Sequence, residues 1–215
     1  MTSMDTTTQK QQARARALAQ RDAISPSCKD AKSASICNDL SVLLDDALSD
    51  GVLIGGKQDA SKPFTVAVYA AFQNEVRLDA FIRHAYARGG HVAFPCMNRQ
   101  PIDGLPMVMR AVDATSYETC AVPFVSSPIE AFEPDEECVC DFPIVDPKEI
   151  DMLVVPMVAF DSEGMRLGYG GGNYDTFMPR LSHRTRIAGV AFAEQQLDAV
   201  PFDFHDRKID RIITA

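Results

Sequence analysis

Apolar residues recur every three to four positions near the start of the chain and later run on without a break, and this change of period sets the expected architecture. Residues 10–23, KQQARARALAQRDA, are rich in Ala, Gln and Arg, and predict a helix with a basic face that ends at Ser25-Pro26. Ile36, Leu40, Leu43, Leu44, Ala47 and Leu48 follow at helical spacing behind a Ser35 cap, so a second amphipathic helix is expected to stop near Gly51. Residues 65–71, TVAVYAA, are instead β-branched and almost continuously apolar, as in a strand covered on both faces. Helical period returns over 75–88, with Leu78, Phe81, Ile82, Ala85 and Tyr86 on one stripe and Gly89-Gly90 as the stop. Further strands are expected at 91–95, 106–112, 152–156, 186–192 and 210–214. Continuous apolar strands alternating with helices predict an α/β fold whose mixed or parallel sheet is layered between helices.

Composition supports a packed core: 46% of the 215 residues are hydrophobic and 24% charged, which fits one globular domain over residues 10–215 behind a polar, disordered leader at 1–9. Lys plus Arg number 21 against 30 Asp plus Glu, a net charge of −9, so no nucleic-acid partner is expected, although a local cluster of cations can still hold a phosphate. The six cysteines are read as reduced thiols, because a chain of this length needs no disulfide staples. No apolar stretch approaches the ~20 residues that cross a bilayer, and the first residues lack a signal-peptide core, so a cytoplasmic protein without a membrane partner is expected. Residues 122–147 are rich in Pro and acids and read as a surface loop; Cys138-x-Cys140 within it has no second ligand pair at finger-like spacing. His84, His91, His183 and His205 likewise show no metal-binding spacing.

The segment carrying most chemical information is 161–175, DSEGMRLGYGGGNYD. Gly168, Gly170, Gly171 and Gly172 free the backbone to turn its N–H groups toward one point and remove the Cβ atoms that would keep an anion away. Residues from Asn173 can start a helix whose first amides add to such a site, with Asp175 in its first turn. The spacing matches neither G-x-x-x-x-G-K-[ST] nor G-x-G-x-x-G, and a plain glycine turn between strand and helix is an equal alternative. Arg166 before the glycines, Asp175 after them and a continuous apolar strand leading in favour the anion site.

VVPMVAFDSEGMRLGYGGGNYD resembles the signature of the 5-formyltetrahydrofolate cyclo-ligases, whose pattern runs P-G-x-A-F-D, a short turn, then R-L-G-x-G-x-G-Y-Y-D. Lys10 and Arg14 resemble that family's N-terminal K-x-x-x-R, FQNEV (72–76) its substrate-binding stretch, IEAFEP (129–134) its G-I-x-E-P element and DRKID (206–210) its closing D-x-K-x-D. Met157 stands where the pattern has Gly, and Asn173 where it has the first Tyr.

The resemblance implies a three-layer α/β/α sandwich with a mixed, mainly parallel sheet, similar to ribose-5-phosphate isomerase and CoA transferase folds. It implies an ATP- and Mg²⁺-dependent ligase that converts 5-formyltetrahydrofolate to 5,10-methenyltetrahydrofolate, with the catalytic cations Lys10, Arg14 and Arg166 on the ATP phosphates. Tyr169, Tyr174 and the backbone of Gly168, Gly170, Gly171 and Gly172 would complete the nucleotide site, and Asp175 and Asp210 would carry Mg²⁺. Tyr69, Ala70, Glu75, Tyr169, Asn173 and Tyr174 would line the folate pocket of a monomer or weak homodimer. Taken without the family, Lys10 and Arg14 read first as a solvated helix face, Glu75 as a helix cap and Asp210 as a strand-edge charge, and the order of the family landmarks reverses that preference. A non-catalytic folate or nucleotide binder of the same fold is the alternative function.

Overall fold

The computed structural model describes residues 5–49, 63–203, 206–209 and 211–215. Helix α1 (Thr6–Ala23) begins ahead of Lys10, so Thr6–Gln9 belong to it rather than to a leader. Helix α2 (Pro26–Ser49) starts at Pro26, nine residues before the expected Ser35 cap. The proline that closes α1 also opens α2, because its fixed φ suits the first helical turn and the N–H it lacks would have had no partner there.

Strand β1 (Thr65–Ala67) is shorter than the apolar run that predicts it. Val68 still donates to the Ala93 carbonyl at 2.9 Å, but the chain then leaves the ladder, and the Tyr69 hydroxyl donates to Val76 O at 2.7 Å. Helix α3 (Asp79–Ala87) starts four residues later than expected. Glu75 does not cap it: its Oε2 accepts the Phe72 N–H at 2.8 Å and closes a turn ahead of the helix.

Strand β2 (His91–Ile102) continues well past Pro95, and β3 (Leu105–Val112) folds back on it, with Pro95 opposite Met109. The hairpin turns on Asp103-Gly104, both at positive φ (50° and 78°), the pairing a two-residue type I′ turn requires. Residues 114–150 hold the short helices α4 (Ala114–Glu118), α5 (Pro123–Ser126) and α6 (Glu137–Cys140), and strand β4 (Ala131–Phe132) beside β2. The expected surface loop at 122–147 is thus partly structured: Phe124, Phe132 and Val139 are buried, and Arg110, also buried, donates to the carbonyls of Val139, Phe142 and Pro134. The thiols are free, as expected, and no metal-binding cluster occurs among the described residues.

Strand β5 (Met152–Pro156) leads into a hairpin of β6 (Ala159–Phe160) and β7 (Arg166–Leu167), then α7 (Asn173–Phe177), β8 (Arg186–Ala191) and β9 (Arg211–Thr214). The main sheet has the order β3-β2-β1-β5-β8-β9 with β4 beside β2, parallel throughout except for β2–β3. This is the mixed, mainly parallel α/β sheet that the apolar runs predict.

Alternate residues face opposite layers, as a period of two requires. Val66, Val92, Phe94, Val154 and Val190 pack with α2 and α3. Ala67, Ala93, Leu153 and Val155 meet Phe177 and Met178 of the α7 region on the other face. Helix α1 lies on the β6–β7 hairpin through Ala17, Val158, Met165 and Leu167. Strand order reverses at β1: the chain builds outward through β2 and β3, then returns to β5 on β1's other side. The carboxyl ends of strands flanking such a reversal open a crevice for ligands.

The hairpin before the glycine segment turns at Gly164, at φ +81°, where an added Cβ would lie 2.6 Å from the Ile209 carbonyl oxygen. Gly164→Ala therefore combines a strained φ with a clash against backbone, and should cost at least ~2 kcal/mol in denaturant unfolding. An unchanged midpoint would show that the 206–209 segment does not press on this turn.

Candidate active site

A cavity of ≈ 480 Å³ opens beyond the carboxyl end of β5, walled by Pro156–Val158, Arg166–Thr176, Lys10, Arg14 and Asp206. Most of the residues marked by the sequence meet there: Lys10, Arg14, Arg166, Gly168, Tyr169, Gly170, Gly171, Gly172, Asn173, Tyr174 and Asp175. Tyr69, Ala70 and Glu75 are not in that wall; Tyr69 and Glu75 lie close to Tyr169 and Tyr174, and Ala70 packs against the core beneath α2 and α3. Asp210 lies outside the described residues.

Helix α1 supplies the cations because positions 10, 14, 17 and 21 fall within about 60° of arc at ~100° per residue. Ala17 at the centre of this stripe is fully buried, which brings the backbone of α1 close to the hairpin. Arg14 Nε donates to the Gly168 carbonyl at 2.8 Å. Lys10 Nζ donates to Asp203 Oδ2 at 2.7 Å and to Asp206 Oδ2 at 2.6 Å. Burial alone would lower the Lys10 pKa, but the hydrogen bonds and charges of the two aspartates outweigh it and raise the pKa, so the ammonium is held charged. Neither residue is a freely solvated helix charge.

Arg166 and Asp175, expected on a phosphate and on a metal, are bonded to each other: Nη2 to Oδ1 at 2.7 Å, with the arginine side chain 4% exposed. Arg166 Nε is buried and has no hydrogen-bond partner. The glycines stay open to solvent between these groups. Gly170 and Gly172 have φ of +106° and +68°, and the Arg14 guanidinium lies 3.5 Å from where a Cβ on Gly170 would sit. Helix α7 is only five residues long, too short for its dipole to matter, so the cations and the glycine backbone, rather than a helix end, give the site its anion character.

Behind the loop, Arg21 Nη1 donates to the Tyr169 hydroxyl at 3.0 Å. Glu75 is 9% exposed. Burial pushes its carboxyl above the usual carboxylate range, against the Phe72 amide, the Arg21 charge and the Tyr169 hydroxyl, which pull it down. The Tyr174 hydroxyl is buried without a partner, and burial, then the Glu75 charge, push its pKa up.

Arg21 and Asp203 were not singled out by the sequence, and Asp206 was marked only as the first residue of DRKID, with no role of its own. Arg21 shares the stripe of Lys10 and Arg14 three turns on, so helical arithmetic could have found it. The aspartates meet Lys10 only through the fold. The departures Met157 and Asn173 both reach the cavity wall; the first packs over Gly189, and the second donates to Met97 Sδ at 3.5 Å.

A mainly parallel sheet with a cationic, glycine-lined cavity at its strand ends defines an α/β protein that faces an anionic ligand. Residues 6–215 match the sequence profile of the 5-formyltetrahydrofolate cyclo-ligase family, and the chain belongs to that family. It is 27% identical over 152 residues to the 5-formyltetrahydrofolate cyclo-ligase of Mus musculus, covering 69% of this chain and 71% of the mouse protein. To the enzyme of that name from Escherichia coli K12 it is 26% identical over 151 residues, covering 70% and 77%. Its fold is similar to that of a 5,10-methenyltetrahydrofolate synthetase from Mycoplasma pneumoniae, with a TM-score of 0.65 at 20% identity over 98% of both chains. The Aquifex aeolicus synthetase gives the same TM-score, 0.65, at 24% identity over 95% of this chain and 89% of the other.

Two neighbouring glycines separate strain from contact. Gly170→Ala should destabilise the fold by about 1–2 kcal/mol, because φ +106° disfavours any side chain. Gly171→Ala, at an ordinary φ and with the Asn173 amide 3.4 Å away, should cost under about 0.5 kcal/mol. Equal losses in thermal unfolding would mean that the loop conformation is not what matters.

Proposed function

We infer that this chain is an ATP-dependent 5-formyltetrahydrofolate cyclo-ligase, and that the cavity between α1 and the glycine loop is where ATP phosphates and the formyl group meet. The observation that carries this reading is the state of the three cations. Each is anchored by a protein acceptor and still has donors left over. An ammonium has three N–H groups, and Lys10 uses two on Asp203 and Asp206. A guanidinium has five; Arg14 gives Nε to Gly168, and Arg166 gives Nη2 to Asp175 while its Nε has no partner. Cations fixed in this way pay little reorganisation when negative charge develops beside them.

The formyl oxygen of the folate is a poor leaving group. Its attack on the γ-phosphorus of ATP forms an O–P bond as the bond to the β-phosphate oxygen breaks, releasing ADP and making the formyl carbon electrophilic. Nitrogen 10 then bonds to that carbon and gives up its proton, which leaves with the departing phosphate as the carbon–oxygen bond breaks, and the five-membered ring is closed. Lys10, Arg14 and Arg166 orient the phosphates and balance their charge, and the glycine backbone admits them closely. Glu75, Tyr69, Ala70, Tyr169, Asn173 and Tyr174 form the folate side, where a carboxylate suits the N–H edge of the pterin.

The donor set fits magnesium carried on phosphates. Asp175 stands in the cavity wall, and an ion carried on phosphates needs only one or two protein carboxylates beside substrate oxygens and water. Asp175 would hold it, with Asp210 as the second carboxylate, and the ion would supply charge neutralisation at the phosphates.

Purified protein with 5-formyltetrahydrofolate and Mg·ATP should develop the near-ultraviolet absorbance of the methenyl product, and EDTA should abolish it. Asp175→Asn should cut turnover at least ~100-fold while its amide oxygen still accepts from Arg166. Wild-type rates in that variant would remove Asp175 from the metal site. Glu75→Gln should raise the folate KM about tenfold, with the ATP KM within about twofold of wild type, since a carboxylate acceptor becomes a weaker neutral one. An unchanged folate KM would take Glu75 out of the folate side.

A further inference from the structure

Arg21 is the most deeply buried cation among the described residues, and the phosphate chemistry does not use it. It sits in the last turn of α1 with its side chain 2% exposed. Its only nearby carboxylate on the same helix, Asp22 at 3.9 Å, is itself largely exposed and accepts from Asn74 Nδ2 at 2.9 Å. Burying a guanidinium this deeply is costly unless acceptors surround it. Here the acceptor is a neutral phenol, Tyr169, reached at 3.0 Å by Nη1, while Arg21 Nε has no partner. The guanidinium carbon also lies 5.9 Å from the Tyr169 ring centroid. Beyond the phenol stands Glu75, whose buried carboxyl is close enough to feel the charge of Arg21 and the Tyr169 hydroxyl.

Tyr169 therefore has two attachments. Its backbone lies in the glycine loop between Gly168, whose carbonyl is gripped by Arg14, and Gly170, which rests beside the same guanidinium. Its hydroxyl is gripped by Arg21, seven residues and ~10 Å farther along α1. One helix thus holds both the backbone of the phosphate loop and the side chain that reaches the acid behind it.

We propose that Arg21 is a positioning residue for the folate side of the site: it holds the Tyr169 hydroxyl in place in front of Glu75 and sets a cation beside that buried acid. The proposal rests on the reading that Glu75 faces the folate. The groups around Glu75 are Arg21 from α1, Tyr69 after β1, Tyr169 from the glycine loop, Tyr174 from α7 and the Phe72 amide. Arg21 is the only cation among them, so it is the group whose removal should drive Glu75 toward its neutral form.

The test is steady-state ring closure by the full chain, with folate and ATP varied separately across an acid-to-neutral pH series. Arg21→Met should lower folate kcat/KM by ~10- to 100-fold, the loss expected of a charge-assisted contact, and leave the ATP KM within about twofold of wild type. The acid limb of the folate profile should move to higher pH. Arg21→Lys should bring the limb back toward its wild-type position while the folate KM stays raised, because an ammonium supplies charge without the planar fork. Tyr169→Phe removes the hydroxyl without touching α1, and should raise the folate KM severalfold even if Arg21→Met does not fold. A merely structural arginine predicts parallel losses for both substrates with the limb unmoved, and that result overturns the proposal, as does an unchanged folate KM in Tyr169→Phe. Glu75→Gln separates the two levels. A limb that survives in it removes the folate role of Glu75 and this proposal together; a limb that vanishes in it but stays in place in Arg21→Met overturns the role of Arg21 alone.

Discussion

A chain with a net charge of −9 can face an anionic ligand only if a few cations are placed where the surrounding carboxylates do not cancel them. Here each cation is given a fixed partner that takes part of its hydrogen-bonding capacity and leaves the remainder. Lys10 stands between Asp203 and Asp206, Arg14 on the Gly168 carbonyl, and Arg166 on Asp175. The arrangement depends on α1 lying close to the β6–β7 hairpin. That closeness depends on Ala17, whose single methyl lets the helix approach until it is fully buried. A larger side chain at 17 would push all three cation-bearing turns of α1 away together.

The sheet fixes the other half of the geometry. β1 and β5 are parallel neighbours, with Val66 opposite Met152 and Ala67 opposite Leu153, so their carboxyl ends finish side by side. From one end the chain passes to Tyr69 and Glu75, and from the other to Met157 and the hairpin that carries Arg166. Residues 90 or so apart in sequence thereby face one crevice at the point where strand order reverses. The layers on either side are unequal. Long helices cover the Val66–Val92–Val154 face, whereas the opposite face is closed by short α7 and loop residues such as Ile150 and Ile209, which leaves room there for a cavity.

What the sequence made legible followed from local periodicity. The unbroken apolar run at 152–156 and the nearly unbroken one at 186–192 correspond to β5 and β8 because strands covered on both faces have no polar face to show, and 210–214 corresponds to the edge strand β9. The glycine segment was legible from its glycines and the flanking Arg166 and Asp175, whereas the Lys10–Arg14 pair was legible only through the family resemblance, since alone it reads as a solvated helix face. Less legible were features decided at long range. β2 runs past Pro95 because β3 pairs with it across the Asp103-Gly104 turn. The acidic stretch at 122–147 acquires structure because Arg110, from a distant strand, takes three of its carbonyls. Lys10 finds Asp203 and Asp206 nearly two hundred residues away, a pairing no local pattern encodes.

The two departures from the family pattern are absorbed by packing. Met157 is 4% exposed, and its sulfur lies 2.8 Å from where a Cβ on Gly189 would project, so its bulk is accommodated by the missing side chain on β8. Its carbonyl accepts from the buried Gln195 Nε2 at 2.7 Å, which ties the end of β5 to the turn after β8. Asn173 uses its amide on the Met97 sulfur and packs against Gly171, so the space where the family pattern has a ring holds a small polar group beside a flexible thioether. Both changes alter the shape of the wall, and neither takes a hydrogen bond from Lys10, Arg14 or Arg166. A change in shape bears on how well a ligand fits, whereas Lys10, Arg14 and Arg166 keep their charge and their anchoring contacts.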